Sequence, residues 1–164
     1  VPQSAALRDG LATALAWGEA RTTFDDAVAD MPPELCGRVP DGLPYSAWQL
    51  VEHIRIAQHD ILDFTRNPKY EEMKWPDDYW PKSPAPPSDG AWDESVRRFR
   101  DDRAALEAIA RGPSIDLEAA VPHGSGQTYL REILLVLDHT AYHVGELVVV
   151  RRLLGAWPPK RGGG

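Results

Sequence analysis

Apolar residues recur at helical intervals along most of the chain, with polar residues gathered on the opposite faces. Leu7, Leu11, Leu15, Phe24 and Val28 form one such stripe and predict a helix from about Ser4 to about Ala29, stopped by Pro32-Pro33. Ser46-Ala47-Trp48-Gln49 has the form of a capping box, in which Ser46 accepts from the backbone and Gln49 reaches back. It opens a second helix that carries Leu50, Val51, Ile54, Ala57, Ile61 and Phe64 as far as Arg66, before Asn67-Pro68. A third helix, Ala91 to Ala110, sets Trp92, Val96, Phe99, Leu106 and Ile109 against Asp93, Glu94, Arg97 and Asp101, and Arg111-Gly112-Pro113 ends it. The fourth, from Gln127 to Leu154, is apolar on most of its surface and is therefore expected to be the central, most buried one; Gly155 and Pro158-Pro159 close it.

Two long connections separate these elements. Pro68 to Gly90 holds six prolines, with Trp75, Tyr79 and Trp80 among them, and reads as a crossover or functional loop. Ser114 to Gly126 ends in His123-Gly124-Ser125-Gly126. There is no alternating strand pattern and no long repeat. The expected fold is all-α: a four-helix bundle with long crossover connections, one domain over residues 1–157 with 158–164 as a tail.

Composition narrows the function classes. A formal charge of -7 without a long basic run argues against nucleic-acid binding. No run of about 18 uninterrupted apolar residues occurs, so no membrane partner is expected. Cys36 is the only cysteine, which rules out an internal disulfide, and Val1 to Gly10 lacks the order of a secretory leader. The expected compartment is the cytoplasm, and Cys36, in a turn-like segment with no adjacent base, is read as structural.

Candidate chemistry lies in the histidines. His139 and His143 stand four residues apart in Asp138-His139-Thr140-Ala141-Tyr142-His143-Val144-Gly145-Glu146, one helical turn apart on one face. Taking His139 as reference at about 100° per residue, His143 falls about 40° away and Glu146 about 20° on the other side. Such a cluster on a buried helix is costly unless something binds it, although two hydrogen-bonded core histidines are the plainer alternative. His53, on the second helix, is a third candidate ligand; three imidazoles would leave one position of a metal open. His59 lies about 120° round that helix from His53 and is read as a surface or supporting residue rather than a ligand; His123 is read as loop decoration, with lining of a cleft mouth as the alternative. Thr140, where a zinc protease needs Glu, excludes that helix motif, and no Glu-x-x-His occurs for a di-iron bundle.

These segments carry a resemblance. Trp48-Gln49-Leu50-Val51-Glu52-His53-Ile54-Arg55-Ile56-Ala57-Gln58, Gly126-Gln127-Thr128-Tyr129-Leu130-Arg131-Glu132 and Asp138 to Leu147 resemble the DinB-like metal-binding bundles. The resemblance spans nearly the whole chain. It implies a four-helix bundle holding one divalent metal, often zinc or nickel, on His53, His139 and His143. It also implies, as in several relatives, thiol S-transferase chemistry with a low-molecular-weight thiol as cosubstrate, and a homodimer. Relatives often carry Gln three residues after the last histidine; Glu146 stands there in this chain and would occupy the fourth metal position or act as a base.

On this reading the metal deprotonates a bound thiol, which attacks a small-molecule electrophile in a cleft under the Pro68–Pro87 connection. Glu146 or Asp60 is the candidate catalytic proton acceptor. Metal-bound hydroxide would give hydrolysis instead. Two further alternatives are a stress-associated metal-binding bundle without turnover and an interaction module with structural histidines.

Overall fold

The computed structural model describes residues 4–16 and 20–158; the expected tail lies outside them apart from Pro158. The described residues form five α-helices: α1 (Ala5–Ala14), α2 (Phe24–Val28), α3 (Ala47–Arg66), α4 (Ala91–Arg111) and α5 (Tyr129–Leu153), with a 3-10 turn at Pro33–Leu35. The all-α bundle expected from the sequence is present, and among the described residues only an isolated bridge, Ala120 with Thr128, has strand-like pairing.

The single first helix is corrected. The helix from Ser4 ends at Ala14, and a new one starts at Phe24, because Thr23 accepts from the amide of Asp26 and caps a fresh N-terminus. The part of the expected helix at residues 17–19 lies outside the described residues. Leu7, placed on the core stripe, is exposed, whereas Leu11, Leu15, Phe24 and Val28 are buried.

Ser46 and Gln49 make both bonds of the capping box at the start of α3. α3 packs on α4 and α5, α1 on α4, and α2 on α5. α3 and α4 run parallel: Glu52 accepts from Ser95, and Gln58 donates to the carbonyl of Phe99. A parallel neighbour requires a crossover, which is what the long 67–90 connection supplies. α5 runs antiparallel to α3, since His53 meets His143 while Ile61 shares an apolar cluster with Ile133.

Two apolar clusters fill the bundle. One gathers Phe24, Leu50, Ile54, Phe99, Val144 and Leu147, with Phe24 stacked on Phe99 at 3.8 Å. The other gathers Leu11, Leu62, Leu106, Ile133 and Val136. Each fully buried Leu, Ile or Phe contributes roughly 1.5–3 kcal/mol. Two buried arginines close helix ends: Arg8 donates to the carbonyls of Ala110, Gly112 and Ile115 at and beyond the end of α4, and Arg151 to those of Ala27 and Ala29 at the end of α2. Each offsets the negative end of a helix dipole and satisfies carbonyls that have no intrahelical partner.

α5 is not the most buried helix. It leaves Leu134, Leu135, Tyr142, Val149 and Leu153 exposed, while α3 buries a larger share of its length. By length and apolarity alone α5 could cross a membrane, with 39% of its most apolar window buried in the bundle.

Candidate metal centre

The histidines lie on the α3–α5 seam between the two apolar clusters. On α3 the upper cluster reaches Ile54 and the lower one begins at Ile61; on α5 they stop at Val144 and Val136. In that gap Nε2 of His53 lies 3.0 Å from Nε2 of His139 and 3.1 Å from Nε2 of His143. The three rings meet edge to face, with centroids 4.5–4.8 Å apart. All three predicted ligands are thus brought together, and they could hold one metal ion.

The outer nitrogens decide what the inner ones can do. Nδ1 of His53 lies 2.9 Å from the carbonyl oxygen of Tyr79, which can only accept, so Nδ1 carries the proton. Nδ1 of His143 lies 2.7 Å from the Glu146 carboxylate and donates in the same way. In their neutral forms both rings therefore turn bare Nε2 lone pairs toward each other. Two lone pairs at 3.1 Å repel unless a cation lies between them. A proton satisfies one nitrogen pair, whereas a metal satisfies all three.

The spacing suits an ion. Metal–nitrogen bonds of 2.0–2.1 Å in a tetrahedral site place ligand nitrogens about 3.3 Å apart, so the rings need to spread by only a few tenths of an ångström. Burial pushes the His53 imidazolium down to about 4, partly opposed by the Tyr79 carbonyl. Burial, with the two neighbouring histidines, holds His139 down to about 3. Both rings are neutral near pH 7, the form that ligates.

The crossover roofs this centre. Trp80 stacks on the His53 ring at 3.8 Å with planes 9° apart, and Tyr45 stacks on Trp80 at 4.5 Å. The roof is tied to α3 by Gln49 donating to the Pro81 carbonyl and Ser46 to that of Pro84. Gly37 allows the chain to close there, because a Cβ at that position would lie 2.7 Å from Cα of Ala85.

Glu146 and Asp60, the candidate proton acceptors, both accept hydrogen bonds from neighbouring side chains. Glu146 sits behind His143, on the side of the ring away from Nε2, and orients that ring. Asp60 follows His53 by seven residues, about 10 Å along the helix axis. Its two oxygens accept from the hydroxyls of Tyr70 and Tyr79. Burial and the Asp60 carboxylate push both tyrosines up. Asp60 thus anchors the loop residue whose carbonyl holds His53.

Asp60 also lines a 540 Å³ cleft together with Phe64, Tyr70, Tyr79, His123, Arg131 and Glu132. Its walls include the crossover, as expected, but the three imidazoles do not line it. His123 contacts the Phe64 carbonyl through Nε2 and so borders the cleft. His59 is exposed and paired with Asp102, outside the cluster. Cys36 is buried, and its thiol is pushed up to about 11, chiefly by burial, which suits a structural residue.

The DinB superfamily model matches residues 16–147, a span that contains all three histidines and Glu146. The chain belongs to the DinB superfamily. No curated protein and no solved structure gives a significant match. In this DinB chain the sequence missed the partners that fix the histidines. Tyr79 acts through a backbone carbonyl, which leaves no mark on residue type, and Trp80 is one of several aromatics in an aperiodic segment. The only signal was the concentration of aromatics between prolines.

Proposed function

We propose that this DinB chain is a metal-dependent enzyme that transfers a low-molecular-weight thiol to an electrophilic small molecule, with zinc or nickel on His53, His139 and His143. The observation that carries the metal is the facing pair of Nε2 lone pairs at 3.1 Å, each fixed by an acceptor behind its ring. When bound, the cation supplies Lewis acidity, which lowers the pKa of a coordinated thiol or water. The chain's residues do the rest. Tyr79 and Glu146 hold two rings in the ligating tautomer, and Trp80 shields the His53 ring from water. The thiolate sulfur forms a bond to an electrophilic carbon while the bond to the leaving group breaks, the leaving group taking the electron pair. The family assignment and the aromatic-walled cleft beside the centre support a small-molecule substrate. A single buried cysteine suits a reducing compartment, and we assign the protein to the cytoplasm.

The test has two stages. Elemental analysis of tag-free protein should find near-stoichiometric divalent metal that His143→Ala loses; absence of metal would remove the centre. A panel of small thiols with a generic electrophile should then show consumption that a chelator abolishes. Metal without turnover leaves a metal-binding bundle, and chelator-sensitive hydrolysis without thiol turns the reading to a hydrolase.

A further inference from the structure

The cleft beside the metal centre carries a charge that the bundle leaves unbalanced. Its volume of 540 Å³ falls in the range of small-ligand sites, and the charged groups on its walls are Asp60, Glu72, Glu132 and Arg131. Arg131 donates to Oε1 of Glu132 at 2.7 Å, which leaves two carboxylates without a counter-charge. Glu132 is only 2% exposed, and no described residue donates to its Oε2. A carboxylate oxygen so far from bulk water needs a donor, and the cleft that Glu132 lines is where one can come from. Asp60 accepts from the hydroxyls of Tyr70 and Tyr79 and keeps spare lone pairs, since a carboxylate offers about four. Burial, the bond to Asp60 and the charges of Asp60 and Glu72 push the Tyr70 hydroxyl up, as a negative cleft should. His123 donates to the Phe64 carbonyl through Nε2, so in the neutral ring Nδ1 is a further acceptor.

These acceptors are spread along the cleft and do not converge: among the described residues only the three histidines come close enough to share one ion. The complement is therefore a molecule and not a bare metal ion. Phe64 stands edge-on to Tyr70 at 5.3 Å and to His123 at 5.5 Å, and Ile61 and Leu135 add apolar wall. We propose that this cleft binds an organic cation, a protonated primary amine held by Glu132, Asp60 and Glu72 and carried on an apolar or aromatic body. An ammonium brings three donors to a site rich in acceptors, and aromatic walls favour its charge. Helix register fixes where the amine sits. Asp60 follows His53 by seven residues on α3, and Glu132 precedes His139 by seven on the antiparallel α5. Both carboxylates thus lie on the same side of the imidazoles, on the order of 10 Å along the helix axes. Tyr79 joins the two places, its hydroxyl on Asp60 and its carbonyl on Nδ1 of His53. That the amine belongs to the electrophile rests on the thiol-transfer reading; its binding needs neither metal nor thiol.

Calorimetry on the full chain, as purified and after chelation, tests this with three probes: phenethylamine, phenethyl alcohol and hydrocinnamate. Amide chemical shifts at Tyr70, Gly124 and Glu132 locate the site. The amine should bind about tenfold or more tightly than the alcohol, and added salt should narrow that difference. Glu132→Gln and Glu72→Gln should each weaken amine binding about fivefold and leave the alcohol unchanged. Glu72 is exposed, so its variant decides the matter should Glu132→Gln fail to fold by far-UV circular dichroism. Equal affinity for amine and alcohol overturns the proposal, and so does tighter binding of hydrocinnamate. Absence of amine binding at about 10 millimolar also overturns it, as does an amine affinity that the folded variants leave intact. Amine binding without thiol transfer keeps the site and removes the reaction; thiol transfer without amine binding does the reverse.

Discussion

Replacing Glu146 with Gln isolates the carboxylate behind His143. The contact is 2.7 Å, the short distance of a charge-assisted bond, and the side chains are 12% and 33% exposed, so water screens it only in part. A hydrogen bond to a charged group is worth about 1.5–3 kcal/mol net, against about 0.5–1.5 for a neutral one. The amide oxygen of Gln can still accept from Nδ1, so the tautomer persists and about 1–1.5 kcal/mol is lost. That converts to a metal Kd weaker by about tenfold, the lower end of the range for outer partners of ligating histidines. Glu146→Ala leaves Nδ1 without an acceptor and should approach a hundredfold. Competition with a chromophoric chelator reads both constants, and thermal melting of the metal-free proteins checks that the fold is intact. A Glu146→Gln Kd within a factor of two of wild type would refute the orienting role. A Glu146→Ala protein that binds less than one metal in any condition would instead point to direct ligation by the carboxylate.

Metal-free protein should lose stability in acid. With His53 at about 4 in the fold and near 6.5 unfolded, the unfolded chain binds more protons, so stability is full above pH 6.5 and falls toward pH 4. The His53 contribution is on the order of 3 kcal/mol, readable in urea melts across that window; a flat profile would contradict burial of a neutral ring. Asp60→Asn leaves one acceptor for two tyrosine hydroxyls and should cost about 1–2 kcal/mol, with faster proteolytic cleavage between residues 70 and 79. Unchanged cleavage would show that Asp60 does not hold the crossover. Arg151→Ala should cost about 3 kcal/mol or more, because carbonyls at the end of α2 lose a fully buried donor; a melting temperature within about a degree of wild type would contradict that capping role.

Legibility in the sequence followed the kind of signal involved. α3, α4 and α5 lie within two residues of their expected limits, since capping chemistry and proline stops act over a few positions. The first helix was misread because Leu7 to Val28 keep a plausible stripe. Thr23-Phe24-Asp25-Asp26 carried a cap that the stripe obscured. Apolar composition suggested that α5 was central, but hydrophobicity does not distinguish a core face from one left open. The cluster of His53, His139 and His143 could be found because metal ligation calls for a particular side chain. The reach of Glu146 could not, since counting degrees round a helix places its Cα but not the side of the ring it touches.

The separation of 86 positions between His53 and His139 would give an ion held there a mechanical meaning as well. Gripped from both ends of that span, it would act as a removable staple across the bundle, and anything that binds only the folded form shifts the folding equilibrium toward it. Heat resistance would then report ion supply, so that a cell short of the metal would carry a softer protein.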